Sequence, residues 1–141
     1  MIKYISNRQH SVLPIISAET QENITNDNLM ILVSVIILQL GIPVNTKGYA
    51  YLREAIIIMV NEAQSDIPIT KILYPQIAKE FHTSAICVER AIRHAIEAAW
   101  NRTDPFSRDK VFPYTFSHLE RRPTNSAFIT MIADHIVLLY N

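Results

Sequence analysis

The chain has 141 residues, 49% of them hydrophobic, and its 13 Lys/Arg are balanced by 13 Asp/Glu. That length fits one domain with enough apolar residues for a core, and the zero net charge argues against a partner held by bulk charge alone. A single Cys87 rules out an internal disulfide framework and suits a reducing cytoplasm, while only two glycines favour helices over a sheet protein.

In chain order, residues 1–27 read as an N-terminal arm or linker and residues 28–141 as a helical domain. The opening MIKYISNRQHSV lacks the apolar run and cleavage site of a signal peptide, so a cytoplasmic protein is expected. Asp27 or Asn28 can cap a first helix over about 28–40, which Gly41 and Pro43 would end. Its apolar run, Leu29 to Leu40, is broken by Ser34 and Gln39. At about twelve residues it falls short of the about 20 that span a bilayer, so a core helix and no membrane partner are expected.

A second helix over about 48–63 sets Tyr49, Leu52, Ile56 and Met59/Val60 at three- and four-residue steps. A third is predicted over about 70–81 and a fourth over about 84–101. Thr103 to Pro113 reads as a polar loop and Tyr114 to Glu120 as a short helix. Arg121 to Ser126 then starts a last helix with Phe128, Ile132, Ile136 and Leu139 on its apolar face. The expected fold is all-α, a six-helix bundle-like domain, neighbour of the winged-helix type, containing a helix-turn-helix.

The third and fourth helices carry the chemistry. Residues 67–122 hold nine Lys/Arg against six Asp/Glu, so the positive excess collects around them. At 100° per residue, Val88, Ile92, Ala95 and Ala99 share an inward sector, while Ile86, Glu89, Arg90, Arg93, His94 and Glu97 face the other way. Ala78 is the small residue expected where the two helices touch, and Thr83 or Ser84 can cap the fourth helix. His82 stands where many such turns carry glycine.

Such a face suits the major groove of double-stranded DNA. Arginine pairs with guanine and a carboxylate accepts from a cytosine amino group, so Glu89 and Arg90 are candidate base readers. Ile86 and Cys87 lie nearer the helix start, where an isoleucine can touch a thymine methyl. Arg93, His94 and the first backbone amides, with Thr83 and Ser84 beside them, are candidate phosphate contacts. The same spacing also makes ordinary surface ion pairs, Glu89–Arg93 and Arg93–Glu97.

The segments KGYAYLREAI (47–56), ILYPQIAKEF (72–81), VERAIRHAIEAAW (88–100) and RPTNSAFITMIAD (122–134) resemble the C-terminal DNA-binding effector domain of stage 0 sporulation protein A. The resemblance spans about residues 28–139. It implies a transcription regulator that binds short DNA boxes as a tandem homodimer, with Glu89, Arg90, Arg93 and His94 in the recognition helix. It also implies phosphate contacts at Arg122 and Asn125, within the Arg-Pro-Thr-Asn-Ser run.

The departures matter as much. Ile86-Cys87 stands where the family commonly has Ser-Arg, which implies an altered sequence preference. Loss of a good arginine–base contact costs roughly 1–3 kcal/mol of discrimination. Segment 103–111 differs from the family stretch associated with the sigma subunit of RNA polymerase, and residues 1–27 are too short for a phosphorylatable receiver. A rival reading is an interaction protein that pairs with a full-length regulator without reading DNA. His82, Cys87 and His94 lack a zinc spacing, and no catalytic motif appears, so no metal, cofactor or enzyme activity is expected.

Overall fold

The computed structural model describes residues 25–63, 67–111 and 121–140. They form six α-helices: α1 (Asn26–Gln39), α2 (Lys47–Asn61), α3 (Tyr74–Glu80), α4 (Ala85–Arg102), α5 (Pro105–Val111) and α6 (Asn125–Tyr140). Among the described residues no helix is long and apolar enough to cross a membrane. The predicted helix 114–120 and most of the predicted arm lie outside the described residues.

The first helix starts two residues earlier than predicted. Its cap is Thr25 rather than Asp27 or Asn28, with Oγ1 accepting from the Asn28 N–H at 3.2 Å. It is apolar nearly all round, and Leu29, Leu32, Val33, Ile36 and Ile37 are buried. It ends at Gly41, as predicted: φ is +97°, Gly41 N–H donates to Leu38 and Ile42 N–H to Ile37, both at 3.0 Å. That is a Schellman turn, and Ile42 follows it into the core.

Helix α2 is the centre of the fold and packs against α1, α3, α4 and α6. Leu52, Ala55 and Ile56 are fully buried there. Gly48 has a role that the sequence pattern hid. A Cβ at this position would meet the Ala91 carbonyl and lie 2.6 Å from Ala95 Cβ, so only glycine lets α2 cross α4 this closely. The Tyr49 hydroxyl donates to the Ser34 carbonyl at 3.2 Å, which ties α2 to α1.

Two predicted elements change character. The third helix begins with a π-helical turn, Ile69–Leu73, in which Leu73 N–H reaches back to the Pro68 carbonyl at 3.2 Å; α3 follows directly. The predicted loop 103–113 contains α5. Asp104 Oδ1 accepts from the Ser107 N–H at 2.7 Å, and Pro105 opens the helix.

Arg108 of that helix is only 6% exposed. Its guanidinium stacks 3.7 Å from the Trp100 ring centroid, and Nη1 donates to the Thr103 carbonyl at 2.7 Å and hydroxyl at 3.0 Å. Burial pushes this group below the usual arginine value, and the Asp104 carboxylate offsets part of that. Arg108 therefore closes the C-terminal end of α4, where free carbonyls need donors. Trp100 is the packing anchor predicted for that end.

Candidate nucleic-acid interface

Helices α3 and α4 form the predicted helix-turn-helix. Ile77 and Ala78 of α3 and Val88 and Ile92 of α4 are buried, so Ala78 is indeed the small residue between apolar anchors. The turn is a second Schellman motif: Thr83 N–H donates to the Ala78 carbonyl at 2.9 Å and His82 N–H to Lys79 at 3.4 Å. His82 takes the left-handed conformation, φ +55°, at the position where many such turns carry glycine. Asparagine, aspartate and histidine are the non-glycine residues most often found there.

Of the two candidate caps, Ser84 does the work. Its Oγ accepts from the Cys87 N–H at 3.2 Å, and its carbonyl accepts from Val88 at 3.0 Å. The hydroxyls of Ser84, and next Thr83, also hold the exposed Cys87 thiol below its usual value. Thr83 itself is half-buried in the turn.

The two faces of α4 separate as the helical period required. Val88, Ile92, Ala95, Ile96 and Ala99 are buried. Ile86, 68% exposed, stands out with Cys87, Arg90, Arg93, His94 and Glu97, while Glu89 is half-buried. Of the two intrahelical pairs weighed from spacing, one forms: Arg93 Nε meets Glu89 Oε1 at 3.1 Å. Glu97 instead takes Arg122, from the chain entering α6, at 2.6 Å.

Asn125, which the resemblance gives as a phosphate contact, is half-buried beside α4. Its Nδ2 donates to the Tyr74 hydroxyl and to the Glu89 carbonyl, each at 3.1 Å. One amide thus joins α6, α3 and the backbone of α4. Burial pushes the Tyr74 hydroxyl up, and the Asn125 bond offsets part of that. Thr124 caps α6 beside it, accepting from the Ala127 N–H at 3.1 Å. Sequence spacing missed the Asn125 and Arg122 contacts because each joins residues far apart in the chain.

The result is one exposed surface of mixed charge, with Arg90, Arg93, His94 and Arg122 as its cations or potential cations and a hydrophobic tip at Ile86. Among the described residues no group of three or more His, Cys, Asp or Glu could hold a metal ion. A family model described as Sporulation initiation factor Spo0A C terminal matches residues 33–136. The matched span begins inside α1, ends inside α6 and encloses the whole helix-turn-helix.

Proposed function

The chain belongs to the Sporulation initiation factor Spo0A C-terminal family of DNA-binding effector domains, and from that premise we propose that it is a sequence-specific transcription regulator acting in the cytoplasm. Helix α4 lies in the major groove, with Ile86, Cys87, Glu89 and Arg90 toward the bases. Arg93, His94 and Arg122 meet phosphates, with Thr83 and Ser84 at the helix start. Asn125 contributes from within the protein, by holding the Glu89 carbonyl. Residues 28–141 act as the effector unit and 1–27 as an arm.

The observation that carries this reading is the division of α4: a fully buried face against the core and an exposed face bearing Arg90 and Arg93. Tandem boxes would be bound by a homodimer. Contact with the polymerase sigma subunit would fall on 103–111, where Phe106 is 70% exposed and Lys110 Nζ sits 4.6 Å from its ring centroid. The uncharged pair Ile86-Cys87 at the tip supports a box different from the family's usual one.

Selection from a random duplex pool tests the reading. An enriched box is expected, and Arg90→Ala should weaken its binding by roughly 1–3 kcal/mol while leaving random duplex nearly unaffected. Arg122→Ala should weaken all sequences alike and flatten the salt dependence. A pool that returns no enriched sequence defeats the proposal.

Exposed Ile86, together with Ile31 and Leu38 on the outer side of α1, favours a second reading. In it the fold is kept as an interaction protein that pairs with a full-length regulator. That version requires no measurable affinity for duplex DNA at low salt and a heterodimer in sedimentation.

A further inference from the structure

On the exposed face of α4 and beside it, Arg93 and Arg122 already hold carboxylates. Arg93 pairs with Glu89 within the helix, and Arg122 pairs with Glu97 across 25 residues of chain. Among the described residues Arg90 has no ion-pair partner. The Arg122–Glu97 contact is short, 2.6 Å, yet its side chains remain 38% and 51% exposed. Exposed pairs contribute little to folding stability. The last helix is held in the fold by other means: Asn125 on the Glu89 carbonyl, and Phe128, Ile129 and Ile132 buried in the core.

A carboxylate offers a guanidinium the same paired oxygen acceptors that a phosphate does. Resting on the reading of this surface as a DNA interface, we infer that Glu97 is an internal competitor for DNA phosphate at Arg122 and so sets the sequence-independent part of the affinity. In the free protein its carboxylate occupies the guanidinium. When a phosphate takes that place, Glu97 stays on the same helix face, one side chain away from the new negative charge. The repulsion persists in the complex. Competition is inferred to outweigh preorganisation of Arg122, and the sign of the Glu97→Gln effect decides between them.

Glu97→Gln keeps the side-chain shape and removes the charge. With the full chain and a random-sequence duplex, it should bind roughly two- to fivefold tighter than wild type. Its salt dependence should steepen by up to about 0.9 in log–log slope, one phosphate's worth. In an Arg122→Ala background the same substitution should yield no gain, because the guanidinium it liberates is gone. Thermal melts of all variants should coincide, since the pair is exposed.

Unchanged or weaker binding by Glu97→Gln overturns the inference, and so does a gain that survives in the Arg122→Ala background, which would mark a general charge effect. Both results leave the DNA-binding reading standing, provided that wild type binds duplex and Arg122→Ala weakens it. Failure of wild type to bind any duplex defeats that reading itself.

Discussion

The two ends of α4 are built for opposite ends. At its C-terminus Arg108 stacks on Trp100 and supplies donors to Thr103, and the Gly41 turn lies close against Ala99 and Thr103. A Cβ on Gly41 would lie 2.9 Å from Thr103 Cγ2 and 3.3 Å from the Ala99 carbonyl. At its N-terminus the same Schellman turn carries His82, exposed, followed by Ser84 and the bare tip of Ile86 and Cys87. The same hydrogen-bonded turn thus accepts only glycine at the packed end and an ordinary side chain at the open one. Packing around the turn makes the difference, together with a φ of +97° against +55°.

Removing the seal should produce the largest change. Arg108→Ala strips charged donors from carbonyls at the end of α4 and empties the space over Trp100, for an expected loss of roughly 2–4 kcal/mol in chemical denaturation. A loss no greater than that of an exposed arginine would erase the contrast between the ends. Gly41→Ala should cost roughly 1–3 kcal/mol, from left-handed strain and the Thr103 contact, less the lower entropy of the unfolded chain.

The open end should respond in the other direction and more weakly. His82→Gly relieves the left-handed strain without touching a neighbour, so a gain of at most about 1 kcal/mol is expected in the melting curve. A loss would show that the imidazole has a structural role that its exposure hides.

A smaller effect is set by pH behind the same turn. Burial, and next the Glu80 carboxylate at the end of α3, raise the Glu54 carboxyl of α2 above its ordinary 4.5. The folded protein then holds that proton at a pH where the unfolded chain has lost it. Stability from this group is present below 4.5 and is lost as pH rises through the folded value. Glu54→Gln should therefore stabilise the protein near neutrality and lose its advantage in acid. A difference from wild type that is independent of pH would refute the assignment.

Much of the candidate interface was legible from spacing. The 100° period sent Val88, Ile92, Ala95 and Ala99 inward and Arg90, Arg93 and His94 outward, and the burial of the first four follows it. The start of α5 also had a signal, Asp104 as cap with Pro105 after it, but a seven-residue helix is too short to show a periodic apolar face. The π turn before α3 was invisible, because it shifts each bond by one residue without altering which residue types are present.

Sequence alone determined what repeats locally: five of the six described helices, the Gly41 stop and the Ser84 cap, the inward and outward faces of α4, and a family resemblance that the matching family model supports. Each depends on residues within a turn or two of one another. Only the tertiary structure decided which charges meet. Arg122 found Glu97 rather than solvent, Asn125 turned inward to Tyr74 and Glu89, Gly48 proved to be a helix crossing, and Arg108 was buried. Those contacts depend on how helices far apart in the chain are packed, and no local period encodes that.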